Sequence, residues 1–257
     1  MPPTWIKYIV TAVIASAVVQ AQTHRFEVAS IKAVGAAPPD ASISLGGNDG
    51  GRLVAQGMSL QVLVQLAYGV QRYQIVGAPA WFSVDAFDIE AKPDTPFSPT
   101  ADESKMMLRV LLAERFRLSV TRETREGNVY NLVIAKGGPK FQATKSQPAQ
   151  RSFRGGMGSF TATGVRLEFF LQPIAAQLER PIFDRTGLTG EYDIDLHWTP
   201  ERQTMSAVTP ANGESATEVN HPALAAALEE QLGLKLERAR GPVEFLVIRL
   251  AERPEVN

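Results

Sequence analysis

The sequence predicts an α+β fold made of two tandem repeats of a β-α-β-β-α-β-β module, with two helices covering each small mixed sheet. The stretch at 51–60 recurs 107 positions later, at 158–167. A strand of aromatic, Asp, Ile and acidic residues also occurs twice, at 87–90 and 192–195. Self-similarity at a nearly fixed register indicates a duplicated unit, and helices on one face of a small sheet are a common α+β solution. We therefore expect a signal peptide at 1–21, a first module at 22–140, a linker at 141–157 and a second module at 158–257.

Composition narrows the class of protein. A chain of 257 residues with 44% hydrophobic residues can form a core in each of two modules. The formal net charge of −1 gives no broad basic surface, so no nucleic-acid partner is expected. The chain has no cysteine, which excludes disulfide bonds, thiolate catalysis and cysteine-ligated metal.

The N-terminus predicts export. Lys7 precedes an uncharged, mostly apolar run at 8–19, and Val19 and Ala21 place small residues before a cleavage site at Gln22. The alternative is an uncleaved membrane anchor, but this run rises only about 18 Å as a helix against a hydrocarbon core of roughly 30 Å. The expected location is periplasmic or extracellular, with no stable membrane span after cleavage.

The first module begins with a strand and a capped helix. Alternation predicts a strand at 26–32, and a Gly- and Pro-rich loop at 33–51 precedes a short strand at 52–55. Ser59 is placed to cap a helix that ends at Gly69. Four apolar residues fall on one face of this helix: Leu60, Leu63, Val64 and Ala67.

The first module continues with strands at 73–76 and 87–91. Thr100 and Glu103 then form a capping box that starts a second helix. Its apolar face holds Leu108, Leu111 and Leu112. The module closes with a predicted hairpin of strands 117–122 and 129–135 around a Gly127-Asn128 turn.

The second module repeats this order. Its first helix, at 166–178, contains Pro173, which should kink or shorten it. A strand whose inward face is Tyr192, Ile194, Leu196 and Trp198 precedes a polar segment at 201–219 that is expected to be a loop. Asn220 is placed to cap the last helix, which ends at Gly233. A final hairpin is predicted from strands 234–237 and 243–250.

Six segments resemble the bacterial soil-associated uncharacterised protein family. They are FEVASIK at 26–32, LAYGV at 66–70, LLAERF at 111–116, AKGGPK at 135–140, DRTGLTGEYD at 184–193 and GPVE at 241–244. The resemblance covers the whole mature chain. It implies an exported protein of unknown function whose domain also occurs attached to membrane metallopeptidases of the penicillin-sensor type. The resemblance carries over no catalytic residue.

The order of elements in each module is also similar to the short N-terminal domain of secretins and TonB-dependent receptors. This similarity is one of topology, and a shared fold is a weak guide to function. Those domains bind protein partners in the periplasm, so the similarity directs attention to partner binding.

One strand of the second module carries residues that could ligate a metal. Asp193, Asp195 and His197 lie at i, i+2 and i+4, so their side chains share one face of the strand. Two carboxylates and an imidazole could hold a divalent cation. The alternative is a solvated polar face, and the corresponding strand at 87–92 favours it because Lys92 stands where a ligand would be needed. No metal site and no cofactor are therefore predicted.

The remaining candidates for chemistry are sparse. His24 and His221 have no neighbour in sequence that would make either a general base. The common sequence motifs of serine hydrolases, nucleotide-binding loops and zinc hydrolases are absent. Four arginines at 115, 117, 122 and 125 alternate with acidic residues, which favours a solvated surface with cross-strand pairs over an anion site.

The most distinctive polar cluster is Asp184-Arg185-Thr186, which lies in a predicted turn. Loops carry binding residues disproportionately, so these three are the candidate binding residues. The alternative is a purely structural turn, since Asp and Thr side chains bond their own backbone.

Together these patterns predict a non-catalytic binding module of the cell envelope with a protein partner, engaged through sheet edges or a cleft between the two modules. Exposed sheet edges can accept a partner strand. Two alternatives stay open: an exported hydrolase or metal-dependent enzyme with an unrecognised site, and a sensor domain that works beside a membrane metallopeptidase. The sequence does not indicate an oligomeric state.

Overall fold

The computed structural model describes residues 25–36, 38, 41–45, 50–93, 97–145, 151–156, 158–200 and 223–254. Its helices are α1 (Leu60–Tyr68), α2 (Ala101–Arg115), α3 (Leu167–Leu178) and α4 (Leu224–Ala227), the last continuing as a π-helical segment, Leu228–Leu232. Short 3-10 helices cover Arg72–Gln74 and Ala80–Ser83. The strands are β1 (Phe26–Ala36), β2 (Ser42–Leu45), β3 (Leu53–Ser59), β4 (Ile75–Val76), β5 (Asp85–Pro93), β6 (Ser119–Ile134), β7 (Gln142–Ala143), β8 (Ser152–Gly156), β9 (Ser159–Arg166), β10 (Ile182–Asp184), β11 (Glu191–His197) and β12 (Leu234–Leu250). The mixed α+β class predicted from the sequence is confirmed.

The strands form three four-stranded sheets. The N-terminal sheet has the order β1-β5-β3-β2, and the C-terminal sheet has the order β7-β11-β9-β8. All neighbours in these two sheets are antiparallel. The third, which we call the shared sheet, has the order β10-β6-β12-β4, so each half of the chain supplies two of its strands.

Local sequence signals place the first helices well. The Ser59 side chain accepts a hydrogen bond from the Val62 backbone N–H at 3.4 Å, and Gly69 ends α1 in the left-handed conformation. The capping box of Thr100 and Glu103 at the start of α2 is confirmed, with both reciprocal hydrogen bonds present. Such caps contribute about 1 kcal/mol each because they satisfy backbone N–H groups that the helix leaves free.

The shared sheet corrects the prediction that each module carries its own sheet. Strand β4 of the first half pairs in parallel with β12 of the second half. Strand β10 of the second half pairs in parallel with β6 of the first half. The two halves therefore interlock through main-chain hydrogen bonds. The chain does not form two self-contained mixed sheets.

Both predicted hairpins are wrong for a related reason. Strands β6 and β12 are continuous and pair antiparallel with each other, and Gly127 lies opposite Gly241 in the middle of this pair. A Cβ on Gly127 would lie 2.9 Å from a Val243 methyl carbon, and a Cβ on Gly241 would lie 3.1 Å from the Phe183 ring. These glycines allow close packing within long strands and do not form turns.

Two hydrophobic clusters stabilise the fold, and each draws on both halves of the chain. The first joins the N-terminal sheet, α1 and α2 with Leu246 and Ile248 of β12. The second joins the C-terminal sheet, α3 and α4 with Leu132 of β6. Each half thus lends part of a long strand to the core of the other.

The N-terminal and C-terminal sheets share a bulge held by one aspartate. In the first, the Gly57 N–H donates to Asp88 Oδ1 at 2.8 Å. In the second, the Gly164 N–H donates to Asp193 Oδ1 at 3.0 Å. Both glycines have positive φ, +63° and +68°, a conformation that side-chain-bearing residues avoid. The recurring Asp-Ile pair in the sequence therefore has a structural role in each sheet.

Several smaller expectations differ from the structure. The segment predicted as a loop at 33–51 contains the end of β1 and all of β2. The segment predicted as a linker at 141–157 contributes β7 and β8 to the C-terminal sheet. Pro173 lies inside α3, which spans nearly the predicted range. The signal peptide, the loop at 201–219, Asn220, His24 and His221 lie outside the described residues.

Candidate functional site

A cavity of about 500 Å³ lies beside β8, the end of β9 and the first turn of α3. We call it the aromatic groove. Its lining residues are Arg151, Ser152, Phe153, Gly164, Val165, Arg166, Glu168, Phe169 and Glu191. The volume falls within the range of about 300–1,000 Å³ that is typical of small-ligand pockets.

Two exposed phenylalanines form one wall of the groove. Phe153 is 62% exposed and Phe169 is 45% exposed. Their ring centroids are 4.9 Å apart and the rings are nearly perpendicular, at 73°, a favourable edge-to-face geometry. A pair of exposed aromatic rings beside a cavity is the kind of apolar patch that marks interaction sites.

The local fold explains why both rings reach solvent. Strand β8 is at the edge of the C-terminal sheet, so Phe153 has a neighbouring strand on one side only. In α3 the buried face is made by Leu167, Phe170, Leu171, Ile174 and Ala175. Phe169 lies beside this face, over the edge strand, and the core does not enclose it.

Charged groups surround the aromatic pair. The Arg151 Nη2 atom lies 2.6 Å from Glu191 Oε2, a partly exposed ion pair across the groove. A Cβ on Gly164 would lie 3.0 Å from Arg151 Cγ, so the glycine lets the arginine stem lie flat on β9. Arg166 and Glu168 also line the groove, and neither forms an ion pair with a described residue. The groove therefore has an apolar wall and a rim that carries both signs of charge.

A second cavity of about 440 Å³ adjoins the groove and shares Arg166 and Glu168 with it. Asp184, one of the three predicted binding residues, lines this cavity together with the turn at 187–190. Asp184 Oδ1 accepts hydrogen bonds from the Thr186 N–H at 2.8 Å and from its hydroxyl at 2.7 Å.

The other two members of the predicted cluster have backbone roles. The Thr186 hydroxyl oxygen accepts a hydrogen bond from the Leu188 N–H at 3.1 Å. The Arg185 N–H donates to the Leu132 carbonyl at 2.9 Å, which extends the pairing of β10 with β6. The cluster is thus a self-bonded turn that places Asp184 at the cavity wall.

The structure places Asp193, Asp195 and His197 on the polar face of β11, as their spacing predicts. Asp193 holds the Gly164 bulge, and Asp195 Oδ1 accepts a hydrogen bond from the Thr161 hydroxyl at 2.9 Å. His197 Nε2 lies 3.1 Å from the same Asp195 oxygen, and both side chains are substantially exposed. Within the described ranges, no group of three or more His, Cys, Asp or Glu residues is arranged to hold a metal ion.

The arginine-rich segment forms ion pairs on the shared sheet. Arg122 pairs with Glu244 across β6 and β12, and it also donates to the Tyr68 carbonyl at 3.0 Å. Arg125 lies 2.7 Å from Glu123, and its hydrogen bond is the main cause that lowers the pKa of Glu123. The predicted cross-strand pairing is confirmed for Arg122, whereas Arg125 pairs with a residue of its own strand, and both strands belong to the long β6–β12 pair.

The residues of the aromatic groove are not among those predicted from the sequence. Phe153 lies in a polar, Gly-rich stretch, where a lone aromatic residue is itself a signal. Phe169 precedes Phe170 and falls outside the periodic positions that form the buried face of α3. Their proximity depends on the pairing of β8 with β9, which local patterns do not reveal.

Comparison with known proteins identifies the family. Over the described ranges, none of the helices combines the length and apolar character that crossing a membrane requires. No curated protein and no solved structure matches the chain. A family profile described as protein of unknown function (DUF3738) matches residues 61–251, which include α1 from its second residue, the helices α2, α3 and α4, and the aromatic groove. The chain therefore belongs to the DUF3738 family of proteins of unknown function.

Proposed function

We propose that this protein is an exported, non-catalytic binding module of the cell envelope, and that the aromatic groove is its binding site. The observation that carries the proposal is the exposed Phe153–Phe169 pair beside a cavity of about 500 Å³. Burial of apolar surface favours association by roughly 25 cal/mol per Å². Two exposed phenyl rings are therefore a substantial source of binding energy for a partner that covers them.

The polar residues with sequence-predicted chemical roles support this reading. Asp193 holds a bulge, and Asp184 holds a turn. Asp193 accepts a backbone N–H, and Asp184 accepts a backbone N–H and a hydroxyl, which suits a scaffold that orients the groove. The signal peptide predicted at 1–21 supports export, so we expect the partner in the envelope or outside the cell.

We also infer that the two halves are copies of one ancestral unit. The same strand order in the N-terminal and C-terminal sheets supports this, as do the matching Gly57–Asp88 and Gly164–Asp193 bulges. The copies exchange β4 and β10 across the shared sheet. Duplication leaves one copy free to keep the scaffold while the other diverges into a binding surface.

Two other functions have narrower support. A metal-dependent hydrolase would use Asp195 and His197, whose side chains lie 3.1 Å apart on an exposed strand face. A sensor role beside a membrane metallopeptidase follows from the resemblance in sequence alone. Metal analysis of the purified protein with an Asp195→Ala control separates the first of these from a binding module.

The test of the proposed function is capture from a cell-envelope extract with the immobilised full chain. We expect one partner to be retained in a saturable manner by the wild type and lost from the double variant Phe153→Ala, Phe169→Ala. The matched control is Val62→Ala, since Val62 is 39% exposed and lies in α1 at the position 107 residues before Phe169. Retention that is equal in all three proteins would refute the groove as the binding site.

A further inference from the structure

The edge of β8 next to the aromatic groove is open to another strand. Strand β8 pairs with β9 through residues 152–156, and in the described part of the chain no strand pairs with its other edge. All five of its residues are exposed. An unpaired edge presents backbone N–H and C=O groups in the spacing that an added strand matches.

The two edge strands of the N-terminal sheet differ from β8 in their side chains. In β2, Ile43 and Leu45 pack against the first hydrophobic cluster. Strand β1 carries the charged residues Glu27 and Lys32 among its exposed positions, a common protection against strand addition. Strand β8 differs because its exposed aromatic residue lies beside a cavity.

Two arginines near β8 are available for an acidic partner. Side chains alternate along a strand, so Arg154 lies on the face opposite Phe153. Arg166 lies in the groove, on the same side as the phenylalanines. Neither arginine forms an ion pair with any residue that the structure describes. Glu168 lines the groove beside Arg166, so the charge preference rests on Arg154, and charge complementarity favours a carboxylate on the face of β8 that carries this arginine.

We propose that β8 binds an extended acidic segment of a partner protein by strand addition. The inference rests on the proposed function and names the class of partner. In an added strand, a residue opposite Phe153 would turn an apolar side chain toward the phenyl rings. Its neighbour opposite Arg154 would turn a carboxylate to the other face. The recognised pattern is an alternation of apolar and acidic residues.

A polypeptide fits this site better than a glycan. The backbone edge of β8 offers regularly spaced donors and acceptors, which a peptide uses in register along the strand. The two phenyl rings are inclined at 73°, so they do not form the flat platform on which a sugar ring stacks. Glycan binding is therefore the alternative that the test includes.

The test uses a blocked, fluorescent peptide in which glutamate alternates with valine, titrated into the full chain by fluorescence anisotropy. One control peptide carries lysine in place of glutamate. A second keeps the glutamates and is N-methylated at alternate residues, which removes its strand-pairing donors. We expect the first peptide to bind, and we expect each control peptide to bind with an affinity that is lower by about tenfold or more.

Protein variants test the two parts of the proposed contact. Phe153→Ala should raise the dissociation constant of the acidic peptide by about tenfold, while Val62→Ala should leave this constant unchanged. Arg154→Glu should weaken binding of the acidic peptide and strengthen binding of the lysine peptide. General destabilisation of the protein would not produce this reversal. Circular dichroism of each variant checks that it is folded.

The outcomes separate this inference from the proposed function. If the envelope partner depends on the phenylalanines but the acidic peptide does not bind, or binds equally when N-methylated, strand addition is refuted and the groove remains a binding site. Competition of that partner by soluble envelope glycans would assign the groove to a sugar. If the double variant retains the envelope partner as well as the wild type does, and the acidic peptide does not bind, both proposals are refuted.

Discussion

Strands β2 and β8 have corresponding places in the N-terminal and C-terminal sheets, but their apolar residues have opposite environments. Ile43 pairs with Ala55, and Phe153 pairs with Ala162, which lies 107 positions after Ala55. Ile43 is partly buried against the first hydrophobic cluster. Phe153 is 62% exposed.

The neighbouring positions follow the same contrast. Leu45 of β2 pairs with Leu53 and packs on the core, whereas the corresponding residue of β8 is Gly155, opposite Phe160. On the helices, Val62 of α1 corresponds to the larger Phe169 of α3. Both strands are sheet edges, but the apolar side chains of β2 pack on the core, whereas β8 combines an exposed ring with a glycine. A single sheet design can therefore bury the apolar side chains of its edge strand in one half and expose them in the other, as the proposed binding surface requires.

The largest effect is expected after the second helix of each half, where Arg117 and Gly233 both have positive φ, 48° and 64°. An added Cβ on Gly233 would collide with the carbonyl of Gly138. Gly233→Ala should therefore lower the free energy of unfolding by about 3 kcal/mol, from backbone strain and overpacking together. Urea denaturation measures this, and a loss below about 1 kcal/mol would contradict the close packing of this turn.

Arg117→Gly is the matched change in the first half. Relief of left-handed strain of about 1–2 kcal/mol is offset by the greater freedom of glycine in the unfolded chain, about 0.5–1 kcal/mol. We expect a net stabilisation of about 0.5 kcal/mol. A destabilised variant in the same urea series would show that the exposed Arg117 side chain has a larger role than its position indicates.

The second effect compares the two edge strands directly. Ile43→Ala should destabilise the protein by about 1.5 kcal/mol because it removes partly buried methyl groups. Phe153→Ala should change the free energy of unfolding by less than about 0.5 kcal/mol because the ring is mostly in solvent. Equal losses for the two variants in chemical denaturation would contradict the contrast between a core-packed side chain in β2 and an exposed one in β8.

The third effect concerns the two bulges. Asp88→Ala and Asp193→Ala each remove a carboxylate that accepts a backbone N–H, and each should cost about 1–2 kcal/mol. Asp195→Ala should cost less than about 0.5 kcal/mol since Asp195 is 67% exposed. Thermal unfolding of the three variants tests the ranking, and a dominant effect of Asp195 would favour a site on β11 over a structural strand face.

The last effect is a pH dependence in the first half, which is confined to alkaline solution. Burial raises the pKa of Tyr73 to about 12, above the value of about 10 expected in the unfolded chain. The stabilisation from the neutral side chain is therefore complete below pH 10 and is lost as pH rises toward 12. The corresponding position in the second half is Arg180, so this phenol occurs in the first half only.

Tyr73→Phe is the control for this titration. Wild type should lose more stability than the variant between pH 10 and 12 when urea midpoints are compared. If the urea midpoints of the wild type and the variant change equally between pH 10 and 12, the phenol of Tyr73 has the same environment in the folded and unfolded chains.

The sequence predicts the local elements well because their signals are local. Ser59 and Thr100 mark the starts of α1 and α2, and the alternation at 87–91 identifies β5. The Gly127-Asn128 pair misleads because glycine also serves close strand packing, which depends on Val243 more than a hundred residues away in the chain. The shared sheet could not be predicted, since the pairing of β4 with β12 has no pattern within either segment.

In the candidate site, too, the features with local sequence signals are predictable and those that depend on long-range packing are not. The turn around Asp184 is predictable from Asp and Thr chemistry, and the cavity beside it is not. The groove arises where β8, β9 and α3 meet, so its residues are dispersed among positions that look polar or helical in isolation. A strand hidden in a predicted linker is the main reason that the sequence did not indicate this site.

The most direct test of the open edge is hydrogen exchange of the full chain with and without a saturating amount of the glutamate–valine peptide. In the free protein, backbone N–H groups of 152–156 that point away from β9 should exchange rapidly. With peptide bound, these groups should exchange more slowly, and hydrogen exchange in β2 at Ser42–Leu45 should not change. Unchanged exchange in β8 with protection elsewhere would contradict the account, because the peptide would then bind without adding a strand to this edge.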